Sequence, residues 1–214
     1  FQKVIQRWFA DYDQFKHIYE MYFQTIYTKQ TLAFNFLSLA QALDSYTWIH
    51  IENKANYSKQ MKKLLPSKEF TRRKNLILKN IPDNESEVRE WIIEQLDNAL
   101  GFKDRLLTLF EDYKSVFISI NNKENFARSI VETRNAISHG YSEEQYKKKK
   151  FCYMNNDLNT LFFGTKMILS AVFLRKIGFD DEKISECLKR ETKYKYILEG
   201  KYKFEEKKIE KVKK

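Results

Sequence analysis

Apolar residues recur along most of this chain at spacings of three and four, the period of a helix packed on one side. Ile5, Trp8, Phe9, Tyr12, Phe15, Tyr19, Tyr22, Phe23 and Ile26 predict a helix over residues 2–27. Leu32, Phe36, Leu39, Ala40 and Leu43 predict a second over 31–50, with Thr31 as its cap. That helix is apolar on most of its girth and belongs in a core. Val88, Trp91, Ile92 and Leu96 share one face of a helix over 85–100, and Gly101 stands where a C-terminal cap belongs. Leu106, Leu107, Leu109, Phe110 and Tyr113 mark a helix over 103–116. Phe126, Ile130, Ala136 and Ile137 mark another over 124–139, closed by Gly140. Leu158, Leu161, Phe162, Ile168, Leu169, Val172 and Phe173 carry the last long helix, 157–177, before Gly178; a short one follows over 181–190. Nothing reads as a strand. The expectation is an all-α bundle of four or five principal helices.

One segment breaks the pattern. Between residues 54 and 80, Lys59, Lys62, Lys63, Lys68, Arg72, Arg73, Lys74 and Lys79 face the single acid Glu69, and Pro66 splits the stretch into two short helical pieces. This is a basic helical insertion in the bundle. A second basic run, Lys147–Lys150, follows Gly140. Beyond residue 190 Lys and Glu dominate, which predicts a fraying tail over 191–214.

Composition agrees with helices. The 214 residues include 5 Gly and 2 Pro, where average usage gives roughly 15 and about 11, so a turn-rich β fold is excluded. The length suffices for a core without disulfides or metals. The most apolar stretch, Leu161–Leu174, contains Lys166 and is shorter than the roughly 20 residues of a membrane span. The N-terminal residues lack the apolar region of a signal peptide. Cys152 and Cys187 are the only cysteines and read as reduced thiols of a cytoplasmic protein. The chain begins with Phe1, which is expected of a piece of a longer or processed protein.

Most familiar chemistry is missing from the sequence. There is no phosphate-binding glycine loop, no His-Glu-x-x-His, no EF-hand loop and no Gly-x-Ser-x-Gly. No metal or cofactor is expected. His17 and His50 read as surface or helix-end residues. His139 differs, because it closes Arg134-Asn135-Ala136-Ile137-Ser138-His139-Gly140-Tyr141. Asn135 and His139 are four apart and share a helix face, as do Arg134 and Ser138 on the adjacent one. Arg134 and His139 lie about 140° apart around the helix. At a helix C-terminus the macrodipole favours the imidazolium, and a histidine between charge states suits acid–base chemistry. An arginine beside it can hold a phosphate and stabilise developing charge. These parts suit metal-free RNA cleavage, in which a base takes the 2′-hydroxyl proton and an acid protonates the leaving 5′-oxygen. One histidine cannot do both at once, and a two-fold dimer would supply the second. A helix end without catalytic role is the alternative reading of the same spacing.

The Arg134-Asn135-Ala136-Ile137-Ser138-His139-Gly140 stretch resembles the signature of HEPN domains: Arg, four to six residues, then His, often with Asn after the Arg. The stretch Phe36-Leu37-Ser38-Leu39-Ala40-Gln41-Ala42-Leu43-Asp44-Ser45-Tyr46, the Leu106–Tyr113 helix and the aromatic helix around Trp8-Phe9 are similar to the ApeA-like HEPN domains of bacterial anti-phage defence. The resemblance covers roughly residues 1–178. It implies an all-α, dimerising, metal-independent endoribonuclease with Arg134 and His139 as catalytic pair and Asn135 orienting or contacting the phosphate. It implies a leading helix over 1–30 that follows an upstream, β-rich sensor domain, and a HEPN-like domain over 31–190. Asp44 stands where relatives usually carry Glu; it fixes the arginine or histidine, or is simply a helix-surface acid. Ser138 is a supporting candidate. Tyr141 also matches the HepT toxins, whose tyrosine two residues past the histidine receives AMP and silences the enzyme; packing is its other reading.

The net charge of +10 fits a polyanionic partner such as tRNA or mRNA. Lys147, Lys148, Lys149 and Lys150 start eight residues after His139 and would contact phosphates if their loop folds beside the helix end. Lys59–Lys79 is a candidate second stripe, and Tyr57, Tyr146 and Tyr153 are candidate base-stacking residues. Two other readings stay open: a non-catalytic HEPN-like module that binds RNA or protein, and a helical dimerisation domain that regulates an upstream one.

Overall fold

The computed structural model describes residues 2–53, 67–82, 84–96 and 100–206, and the regular elements among them are all helices. The expected 2–27 helix is broken in two, α1 (Gln2–Ala10) and α2 (Tyr12–Tyr27). Asp11 between them leaves the helical region (φ −119°, ψ 19°). Its carboxylate pairs with Lys176 at 2.9 Å, and the bend lays Trp8 on Tyr19, with ring centroids 4.3 Å apart. This break is tertiary in origin, since the periodicity runs straight through it.

The bundle is organised on α3 (Leu32–Asn53) and α9 (Asn155–Lys176). Thr31 accepts the Phe34 N–H at the start of α3. α3 buries Phe36, Leu39, Ala40, Ala42, Leu43, Tyr46, Thr47 and Ile51, and packs against α2 and α9 as well as α6 (Phe102–Asp112) and α7 (Lys123–Ser138). Each fully buried Leu, Ile or Phe stabilises by about 1.5–3 kcal/mol, so helices apolar all round settle at the centre. By length and composition α9 is apolar enough to cross a membrane over Asp157–Lys176, but 61% of that window is buried inside the bundle.

α4 (Ser67–Lys79) is the described part of the basic insertion, and α5 (Ser86–Gln95) follows it. The face predicted to enter the core does not: Val88 is 43% and Trp91 61% exposed. α5 stops at Gln95 with Leu96 extended, and Gly101 caps the start of α6 at φ −64° rather than the end of α5. Lys59, Lys62 and Lys63 lie outside the described residues. Arg72 and Arg73 both pair with Glu69 (2.8 and 2.7 Å).

The chain past residue 190 is also packed. After α8 (Glu143–Lys147), α9 and α10 (Asp181–Lys189) comes α11 (Thr192–Leu198), which buries Tyr194, Ile197 and Leu198. Phe204 is 1% exposed and stacks on Phe126 of α7 at 3.9 Å. The same apolar core therefore runs from Phe15 in α2 to Phe204, across the boundaries expected near residues 30 and 190. Residues 207–214 lie outside the described residues.

Candidate functional site

α7 is pinned at three levels. Asn122, in the left-handed region (φ 51°), caps its start by accepting the Asn125 N–H at 3.0 Å. Midway, Thr133 is wholly buried, and its hydroxyl accepts the Tyr153 N–H at 3.0 Å. That bond ties the segment after the basic run to the helix. At the C-terminus, Tyr141 N–H donates to the Ala136 carbonyl (3.0 Å) and Gly140 N–H to the Ile137 carbonyl (3.1 Å). This is the Schellman closure, which needs a left-handed residue. Gly140 supplies it at φ +60°.

His139 is the C-cap of α7 and is exposed. It stands at the C-terminal end of the helix. Among the described residues its imidazole makes no hydrogen bond or ion pair; the ring lies 6.2 Å from that of Tyr141, inclined at 25°. Ser138 is exposed beside it.

Arg134 turns toward α3. Its Nη2 donates to Asp44 Oδ2 and to Gln41 Oε1, both at 3.1 Å, and its Nη1 to Asn135 Oδ1 at 3.1 Å. A guanidinium carries five N–H donors. These contacts use three, and the side chain remains 25% exposed. Arg134 is thus anchored on one edge and open on the other.

The anchor has a second half that the sequence reading missed. Asp44 Oδ1 accepts from Nη2 of Arg105 on α6, a side chain only 4% exposed. Arg105 also donates through Nε to Thr47 Oγ1 (3.2 Å) and through Nη1 to the Leu100 carbonyl, and its guanidinium lies 4.0 Å over the Trp48 ring. Burial pulls Arg105 below its ordinary value and the Asp44 carboxylate opposes that. One carboxylate therefore bridges a buried and an accessible arginine, so Asp44 holds the arginine of the motif and not the histidine. A signal existed in the sequence: Arg105 interrupts the 102, 106, 109, 113 apolar stripe of α6. A charge on a core face requires a partner.

The basic run folds beside the helix end, and its lysines differ in what they face. Lys149 lines a cleft of about 80 Å³ with Glu132, Asn135, Tyr141 and Cys152. Lys147 pairs with Glu143 at 3.0 Å and Lys150 with Glu206. Lys148 is exposed. Tyr141 is half-buried between the rings of His139 and Tyr146. Tyr153 is buried, with its hydroxyl donating to the Glu205 carbonyl at 3.0 Å, so it is a structural residue and not a base-stacking one. Tyr57 lies outside the described residues.

His50 departs from expectation. It is half-buried, with Nε2 at 2.7 Å from Asp112 Oδ2 and Nδ1 at 3.4 Å from the Tyr46 hydroxyl. Asp112 is distant in sequence, so this company is invisible to a local reading. His17 is exposed on α2. Cys152 is buried and donates to the Glu132 carbonyl. Among the described residues no group of three or more His, Cys, Asp or Glu is placed to hold a metal ion.

The arrangement presents an anchored guanidinium with open N–H donors, which can accept an anion, and on the same helix an exposed imidazole. A protein-family model, Apea-like HEPN, matches residues 37–183, which span the Asp44, Arg105 and Arg134–His139 elements. No curated protein and no solved structure matches the chain.

Proposed function

The chain belongs to the Apea-like HEPN family, whose domains are typically ribonucleases, and on that premise we propose that it is a metal-independent endoribonuclease. Arg134 grips the scissile phosphate, with Asn135 beside it. His139 moves the proton, as base toward the 2′-hydroxyl or as acid toward the leaving 5′-oxygen. The 2′-oxygen attacks phosphorus and the P–O5′ bond breaks, leaving a 2′,3′-cyclic phosphate and a 5′-hydroxyl. Because one imidazole serves one role at a time, a homodimer that faces two α7 ends supplies the second histidine and arginine.

The observation that carries this reading is the state of Arg134. It is held from behind by Asp44 and Gln41, keeps two N–H donors unused among the described residues, and precedes the exposed His139 on the same helix. The open donors are positioned to take a phosphate oxygen in charge-assisted hydrogen bonds. Lys148 and Lys149 extend the positive surface for the flanking RNA backbone of a tRNA or mRNA. Association of the family with defence supports a role in anti-phage defence or abortive infection, under an upstream sensor domain.

The test is cleavage of mixed tRNA and mRNA in EDTA by wild type, His139→Ala, Arg134→Ala and Arg134→Lys. Wild type alone is expected to cleave at full rate and to leave cyclic-phosphate ends. Arg134→Lys keeps a charge but not the planar fork, and is expected to lose at least tenfold. RNA binding by all four proteins with cleavage by none identifies a binding module instead. That second reading draws on the absence, among the described residues, of a partner that sets the His139 tautomer.

A further inference from the structure

On the core helix α9 and the C-terminal α11, away from the Arg134–His139 end of α7, lies a pocket of about 290 Å³. That is near the lower end of small-ligand sites, about 300 Å³, and suits a ligand no larger than one nucleotide unit. Its wall is aromatic, with Phe163 from α9, Tyr196 from α11 and Tyr202 from the segment that follows. Two lysines join them. Lys193 Nζ lies 5.9 Å from the Phe163 ring and Lys201 Nζ 5.2 Å from the Tyr196 ring. Lys201 also pairs with Glu199 at 2.7 Å, a carboxylate that an incoming anion has to displace. The ammonium groups rest on the ring faces that a planar ligand would occupy.

The pocket is built rather than incidental. α11 ends in its own Schellman closure, with Gly200 N–H on the Ile197 carbonyl (3.1 Å) and Lys201 N–H on the Tyr196 carbonyl (3.0 Å). Gly200 has φ +66°, and a Cβ there would sit 2.9 Å from the Ser119 carbonyl oxygen. The turn therefore demands glycine and fixes the direction in which Lys201 and Tyr202 leave the helix. Burial, with Asp157 and Tyr153 adding to it, pushes the Tyr202 phenol up to about 12, against a hydrogen bond with Thr160. It is a neutral hydroxyl at physiological pH.

We propose that this pocket binds a single nucleotide unit, its base stacked among Phe163, Tyr196 and Tyr202 and its phosphate held by Lys193 and Lys201. Aromatic faces accept any base, and ammonium groups beside them accept the phosphate as point charges. The site is independent of the ribonuclease reading. The segment that carries Lys201 and Tyr202 continues through Phe204, stacked on Phe126 of α7, to Glu206, paired with Lys150. The ligand is a free nucleotide or the phosphorylated end of an RNA, and the test separates these.

The experiment is isothermal titration of the 214-residue chain with adenosine 5′-monophosphate, adenosine, inorganic phosphate, and a 5′-phosphorylated, 2′-O-methylated trinucleotide that cannot be cleaved. Saturable binding of the monophosphate is expected, with adenosine and phosphate each at least tenfold weaker. A trinucleotide that binds ten times more tightly than the monophosphate assigns the pocket to RNA ends; equal or weaker binding assigns it to the free nucleotide. Tyr196→Ala and Lys201→Glu alter exposed side chains and are expected to fold normally by circular dichroism while losing at least tenfold in affinity. Lys193→Glu provides a third variant, at the other lysine of the pocket. The proposal fails if no nucleotide binds at millimolar concentration, or if binding is unmoved in these variants and lost in Arg134→Ala.

Discussion

Asp44→Asn isolates what holds the motif arginine. The substitution keeps the shape of the side chain and removes its charge. One amide oxygen can still accept from Arg105 or from Arg134, but the other position becomes an N–H₂ that faces a guanidinium donor. The pair with Arg105 is the costly one, since the two side chains are only 13% and 4% exposed. Breaking a buried pair by removing one partner costs about 3–5 kcal/mol. Retaining one neutral hydrogen bond recovers about 1 kcal/mol, which leaves about 2–4 kcal/mol. For a chain of this size each kcal/mol moves Tm by about 2–4 °C, so a fall of about 4–16 °C is expected in calorimetry or thermal circular dichroism. Because the pair is buried, the loss should change little between low and high salt. Cleavage measured well below the new Tm should fall as well, since Arg134 loses its anchor. Replacing Arg105 by Met alongside Asp44→Asn removes the orphaned buried charge, and the double variant should regain part of the stability but not the cleavage. A fall below 2 °C with unchanged cleavage would refute the bridging role of Asp44.

Three further outcomes follow from other parts of the structure. His139→Ala should leave stability within about 0.5 kcal/mol, as expected of an exposed side chain, so its loss of cleavage cannot be assigned to unfolding; urea titration checks this. Gly140→Ala places a methyl-bearing residue at φ +60°, which costs about 1–2 kcal/mol, and nothing stands within 4 Å of the added carbon. A Tm change near zero would mean that the closure is not strained by a side chain. Burial first, and Asp11 next, push the Tyr19 phenol up to about 12, and Tyr202 reaches about 12 as well. Against unfolded phenols near 10, the folded chain holds these protons more tightly. Their contribution is therefore complete below pH 10 and is lost as pH rises toward 12. Urea unfolding at pH 9, 10, 11 and 12 should show this contribution level to pH 10 and falling above it, and a profile flat to pH 12 would contradict the burial of both rings.

Much of the bundle was legible as periodicity. α3, α6, α7 and α9 fall where apolar residues recur at helical spacing, because a helix in a core must repeat its apolar face every 3.6 residues whatever it packs against. Gly140 as the end of α7 was legible too, since the left-handed turn needs a residue without Cβ. The motif over Arg134–His139 could be found by residue type and order alone.

Tertiary structure decided the remainder, wherever a property depends on residues far apart in the chain. The Asp11 break, the exposure of Trp91 and the use of Gly101 as a start rather than a stop are imposed by neighbours that local spacing does not encode. The packed C-terminal segment was hidden because Tyr194, Ile197 and Phe204 sit among lysines and glutamates, and average polarity conceals a sparse apolar face. The partner of Asp44 was hidden for the same reason: Arg105 lies 61 positions away. Helical periodicity is a local law and says which face is buried. Only the fold says which face meets which, and with that which charges share a carboxylate.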